Sequence, residues 1–180
     1  SELYRELWQE FFSILNQFPA ETDRPEEPAE TLFTDVFTND WFYYNVMGVF
    51  KMGVMTGYED STFKPENPIT RAEFTKTVMS YLEYSGTYFT TVEPDQYFSD
   101  ISENDWYYSP INKARAHFIV NGYADNTFHP NSPITRAEAV TILLNTDPSL
   151  RDNSFNLGNF KDVSDDAWYA VNVNLAYTIG

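Results

Sequence analysis

The stretch that decides the fold is Gly57-Tyr-Glu-Asp-Ser-Thr-Phe-Lys-Pro-Glu-Asn-Pro-Ile-Thr-Arg-Ala-Glu73, because it returns as Gly122-Tyr-Ala-Asp-Asn-Thr-Phe-His-Pro-Asn-Ser-Pro-Ile-Thr-Arg-Ala-Glu138. Self-similarity at a fixed offset is the signature of a repeat architecture, in which each unit buries its apolar face against its neighbours. Working outward, Phe33, Asp35, Asn39, Asp40, Trp41 and Tyr43 recur at the same offset as Phe98, Asp100, Asn104, Asp105, Trp106 and Tyr108. A third start follows at Phe160, with Asp162, Val163, Trp168 and Tyr169 matching the opening of the other two. It reaches Gly180 before a second loop or Thr-Arg-Ala-Glu, so this copy reads as half present.

Each unit reads as helix, loop, helix. Asn39 or Asp40 suits an N-cap for a helix from Trp41 to about Met55, and Asn104 or Asp105 does the same for Trp106 to about Val120. Gly57 and Gly122 are expected to stop those helices. The loops after them are rich in Asp, Asn, Ser and Pro, with Phe63 and Phe128 expected to plug each loop into the core. Thr70 with Glu73, and Thr135 with Glu138, have capping-box spacing, so a second helix begins at each. Its apolar positions are Phe74, Val78, Met79 and Leu82 in one copy and Ala139, Leu143 and Leu144 in the other. Ahead of the repeats, residues 1–18 read as an amphipathic helix (Leu7, Trp8, Phe11, Phe12, Ile14, Leu15) and 19–32 as an acidic Pro-rich linker. Glu6, Leu7, Phe11, Phe12 and Leu15 align with Glu73, Phe74, Val78, Met79 and Leu82. The segment is therefore expected to stand in for the missing second helix of the third repeat, or to cap the first repeat. The repeats themselves divide as 33–97, 98–159 and 160–180.

Composition bounds the function. The chain has 180 residues, 42% apolar and 18% aromatic, so it builds a core. Eleven Lys and Arg against 27 Asp and Glu give a formal charge of -16, which repels nucleic acid and anionic membranes alike. No apolar run approaches the roughly 20 residues that span a bilayer, and the acidic first residues do not read as a signal peptide. The absence of Cys removes disulfides, thiolate zinc sites and thiol nucleophiles. His117 and His129 have no partners at metal or triad spacing, and the Asp-rich loops lack the twelve-position calcium pattern with its closing Glu. Neither a metal nor a cofactor is expected. An acidic chain always offers paired carboxylates for a glycosidase, but here the acids recur with the fold, which favours a binding role over an enzyme.

Taken together, the F-x-D opening, the Trp, the G-Y-x-D-x-T-F-x-P loop and I-T-R-A-E resemble the S-layer homology family over about residues 33 to 180. The resemblance implies a mainly α, three-lobed bundle of pseudo-threefold symmetry. It further implies a bacterial surface protein held non-covalently to the cell wall, with grooves between adjacent motifs taking a secondary polysaccharide that bears ketal-linked pyruvate.

On that reading Arg71 and Arg136 are the candidate carboxylate grips, each at a helix start whose amides and dipole would add attraction for an anion. Trp41, Trp106 and Trp168 could offer ring platforms, and Asp35, Asp100 and Asp162 could accept sugar hydroxyls. Gly57 and Gly122 complete the candidate ligand set. Each has a plain structural alternative: core packing for the Trp, local backbone acceptance for the Asp, and an internal ion pair for the Arg. Peptidoglycan, plain or polyamine-modified, is the rival ligand, because a surface at -16 attracts cations. A surface assembly module without glycan binding is a further reading, and with at most two of the three family Arg positions present, a domain-swapped homo-oligomer is a further expected partner.

Overall fold

The computed structural model describes residues 32–87, 89, 92–150 and 160–179. The expected N-terminal helix, most of the linker and residues 151–159 lie outside the described residues. The described residues form five α-helices in order: α1 (Tyr43–Lys51), α2 (Arg71–Tyr84), α3 (Tyr108–Ala116), α4 (Arg136–Asn145) and α5 (Ala170–Ile179), with a 3-10 turn at Pro148–Leu150. The fold is mainly α. The described residues contain no strand, only a single antiparallel bridge between Thr70 and Pro133.

The described residues fall into two compact units, one of 32–67 with 80–87 and the other of 68–79 with 89, 92–150 and 160–179. In the first, Phe33, Val36, Tyr43, Val46 and Met47 are buried, with Phe42, Phe50 and Phe63 packed against them. Phe33 meets the ring of Phe50 edge-on at 5.3 Å and that of Phe63 at 5.4 Å. In the second, Phe98, Ile111, Ala114, Val120, Phe128, Ile142 and Leu175 are buried, and Phe128 is completely enclosed. Burial of one such aromatic side chain is worth about 1.5–3 kcal/mol, so the Phe in each loop fastens an otherwise polar segment.

The capping boxes form as the spacing requires. Thr70 N–H and Thr135 N–H each donate to their Glu, at 2.8 Å in both cases, while Glu73 N–H and Glu138 N–H donate to the Thr hydroxyls at 3.2 and 3.3 Å. The first helices of the repeats differ from the sequence reading. They are shorter, and neither Asn39 nor Asp40, Asn104 nor Asp105 caps them; the N-cap positions are Phe42 and Tyr107, with no side-chain cap bond. Asp40 instead accepts from Phe37 N–H, and Asp105 from Ser102 N–H, both at 2.7 Å. Each carboxylate closes a turn and lies two residues before the N-cap position.

The helix stops were also misplaced. α1 is ended by Gly53 in the left-handed region at φ 69°, whose register partner at the end of α3 is Phe118 at φ 58°. Val54 N–H and Ile119 N–H then close back onto Val49 O and Ala114 O, at 3.0 and 2.8 Å. Gly57 and Gly122 serve a different purpose. A Cβ on Gly57 would lie 2.3 Å from the Phe33 ring and 2.9 Å from Thr62 O, and one on Gly122 would lie 2.3 Å from the Phe98 ring and 2.6 Å from Thr127 O. Glycine is required at both because an aromatic ring and a loop carbonyl press on the backbone, and at Gly57 also because φ is 72°.

Candidate functional site

The two loops are copies down to single hydrogen bonds. Asp35 takes Phe63 N–H at 2.7 Å on one carboxylate oxygen and Lys64 N–H at 2.8 Å on the other. Asp100 takes Phe128 N–H and His129 N–H in the same way, both at 2.8 Å. Within each loop Asp60 accepts from Thr62 N–H and Oγ1, and Asp125 from Thr127 N–H and Oγ1. The Thr62 hydroxyl foremost holds the Asp60 carboxyl below its usual range, and Thr127 does the same to Asp125. Ser61, Lys64, Asn126 and His129 all adopt positive φ, matched pairwise between repeats. The loops are therefore braced from within, and the two F-x-D carboxylates spend both oxygens on backbone amides.

In the second unit, the start of α2 docks on the loop of the following repeat. Arg71 N–H donates to Ser132 O at 2.9 Å, Ala72 N–H to Pro130 O at 3.0 Å, and Ile134 N–H to Ile69 O at 3.1 Å. These bonds consume amides that the sequence reading had reserved for an anion at the start of α2. Arg71 is buried. Its Nε donates to Phe128 O at 2.9 Å, Nη2 to Asn121 O at 3.3 Å, and Nη1 pairs with Glu138 Oε1 at 3.0 Å. The guanidinium also lies 4.6 Å from the centre of the Phe128 ring and 5.2 Å from that of Tyr123. Tyr123 Oη donates to the same Glu138 oxygen at 2.7 Å. Burial alone would raise the Glu138 carboxyl, but the bonds from Tyr123 and Thr135 and the charge of Arg71 hold it below its ordinary value.

Arg136 occupies the same register at the start of α4 and is exposed. Among the described residues its side chain has no carboxylate partner, and Arg136 N–H and Ala137 N–H make none of the bonds that occupy Arg71 N–H and Ala72 N–H. The two arginines of one motif thus stand in opposite surroundings: one is locked inside the protein, the other is open to a ligand. Trp41, Trp106 and Trp168 are 77%, 56% and 66% exposed. Each leans edge-on against the next aromatic residue, Phe42, Tyr107 and Tyr169, at 5.1 to 5.4 Å. Asp162 is exposed. Sequence reasoning missed Arg115, whose Nη1 donates to Asn121 Oδ1 at 3.0 Å and whose Nη2 lies 3.5 Å from Asp95. No signal pointed to it, because Phe50 holds its place in the first repeat.

No group of three or more His, Asp or Glu among the described residues is arranged to hold a metal ion, and no described helix is long and apolar enough to cross a membrane. What the geometry defines is a helix-loop-helix repeat protein in which, within the second unit, the start of α2 docks on the loop of the following repeat, with aromatic faces left exposed. The family profile described as "S-layer homology domain" matches residues 32–75 and 97–140, so the chain carries two S-layer homology domains. It is 32% identical over 111 residues to a protein named "Cellulosome-anchoring protein" from Acetivibrio thermocellus, covering 62% of this chain and 25% of that relative. It is 33% identical over 107 residues to "Surface layer protein" of Brevibacillus choshinensis, covering 56% of this chain and 9% of the relative. "Exoglucanase XynX" of Acetivibrio thermocellus matches at 30% over 119 residues, 66% of this chain and 11% of the relative. The chain therefore spans a quarter or less of these relatives.

Proposed function

We propose that the chain is a cell-wall anchoring module of a bacterial surface protein and that its ligand is a secondary wall polysaccharide bearing carboxylated, pyruvate-ketal sugars. The single observation that carries this reading is the pair of S-layer homology domains, shared with relatives whose names describe anchoring and surface-layer proteins. The chemistry of the surface supports it. Exposed tryptophan faces suit the apolar faces of pyranose rings, and Arg136 presents a planar fork for a carboxylate on a chain whose net charge forbids holding a polyanion by bulk attraction. Arg71 supports the site from behind, by fixing the loop of the second repeat to the start of α2.

The test is calorimetric titration of the chain with purified, released wall polysaccharide. Saturable binding that survives 0.5 M salt supports a local Arg grip, and absence of binding overturns the proposal. The charge of -16 favours one second reading, a polyamine-modified peptidoglycan. Under that reading affinity for peptidoglycan fragments collapses as salt rises, because long-range attraction is screened.

A further inference from the structure

Asn121-Gly122 is the one Asn-Gly pair in the sequence, and it falls where two cations converge. Asn121 is exposed, on irregular backbone between the end of α3 and the second loop. Each of its two carbonyls is held by a guanidinium: Arg71 Nη2 donates to the main-chain oxygen at 3.3 Å, and Arg115 Nη1 donates to the side-chain Oδ1 at 3.0 Å. Gly122 N–H donates to no acceptor among the described residues. The first repeat has Thr56 and Phe50 at the positions of Asn121 and Arg115, so the arrangement belongs to the second repeat alone.

We propose that Asn121 is a site of spontaneous covalent modification, at which the Gly122 nitrogen closes on Cγ of Asn121 to form a succinimide. The Gly122 N–H gives its proton to solvent, the N–Cγ bond forms, the Cγ–Nδ2 bond breaks, and Nδ2 takes a proton from solvent and leaves as ammonia. One water then opens the ring to an aspartyl or an isoaspartyl residue, with no change of oxidation state. Negative charge develops first on the Gly122 nitrogen and then on Oδ1. Arg71 draws it from the nitrogen through the conjugated Asn121 carbonyl, and Arg115 sits on Oδ1 itself, which is electrostatic stabilisation by groups already in place. The charge of Arg115 is available for this. Its carboxylate partner Asp95 is 3.5 Å away and 73% exposed, and its Nε is buried without a partner among the described residues. Glycine adds no Cβ to crowd the attacking nitrogen.

Both products place a new carboxylate beside a cation. In the aspartyl form it faces Arg115. In the isoaspartyl form the former main-chain carbonyl becomes the carboxylate beside Arg71, and the backbone lengthens between Val120 and Tyr123, whose N–H closes the loop onto Thr127 O at 2.8 Å. The reaction is irreversible, marks the age of the chain and is independent of the anchoring reading above.

The experiment incubates the 180-residue chain at mildly alkaline pH and follows each asparagine by peptide mapping and mass spectrometry, with isoaspartyl residues read by enzymic methylation. Conversion is expected at Asn121 ahead of every other asparagine, and faster in the folded chain than in the same chain unfolded in urea. Arg115→Gln should slow it by about tenfold or more, as for loss of a donor to a developing oxyanion, and Arg115→Lys should keep most of the rate. Circular dichroism checks that both variants fold. Conversion that is no faster folded than unfolded, or a folded Arg115→Gln variant that converts as fast as the parent or faster, overturns the proposal.

Discussion

Arg71 of the first Thr-Arg-Ala-Glu and Glu138 of the second meet at 3.0 Å, with side chains only 6% and 13% exposed. The arginine of one motif is thus neutralised by the glutamate of the next, and a local helix cap becomes a link between repeats. Removing one partner of a buried pair leaves an uncompensated charge, which costs about 3–5 kcal/mol. Arg71→Met should lower stability by that amount in urea unfolding, because it also strips the Phe128 and Asn121 carbonyls of a donor. A loss below about 1 kcal/mol for the single variant would show that the pair is decorative.

The same carboxyl makes stability depend on acid. Glu138 is held below the ordinary 4.5 in the folded chain, so the unfolded chain takes up its proton first as pH falls. Its contribution is complete above about pH 4.5 and is lost as pH drops through the lowered folded value. Thermal midpoints measured from pH 6 to 3 should fall across that window, and the slope should be shallower in Glu138→Gln.

The clamp on the second loop is set by Asp100 and Gly122. Asp100→Ala strands two backbone amides, each of which gave a bond to a charged acceptor, and should cost about 2–4 kcal/mol; Asp100→Asn keeps one acceptor and should cost about half. Gly122→Ala forces a Cβ to within 2.3 Å of the Phe98 ring and 2.6 Å of a loop carbonyl. It should cost about 2–3 kcal/mol by overpacking. Denaturant midpoints check all three.

One substitution should stabilise. Asn112 is 7% exposed and neither end of its carboxamide has a hydrogen-bond partner, whereas the first repeat places Met47 in the same register. Asn112→Met removes an unsatisfied buried amide and should raise stability by about 1–2 kcal/mol, read as an increase in thermal midpoint.

Much of this was legible in the sequence. The repeat, the capping boxes at Thr70 and Thr135 and the buried Phe128 follow from residues whose partners lie within a few positions or recur at a fixed offset. The misread features depend on distant neighbours. Gly57 resembles a helix stop, yet it lies beyond the stop at Gly53, and the ring of Phe33, the carbonyl of Thr62 and a φ of 72° demand a glycine there. The stop in the second repeat is hidden because Phe118, not glycine, takes the left-handed position. Arg71 and Arg136 are identical in local sequence and differ in the structure because the loop of the following repeat covers only the first. A motif read along one strand of sequence does not say which of its copies will be enclosed.

Anchoring to a wall polysaccharide through the open Arg136 is decided by co-sedimentation of the 180-residue chain with purified bacterial sacculi. The chain should pellet with intact sacculi and fail to pellet after mild acid strips the polysaccharide, and Arg136→Ala should lose about tenfold or more in affinity at unchanged stability. Absence of pelleting with intact sacculi, or pelleting that persists undiminished both on stripped sacculi and in Arg136→Ala, would contradict it.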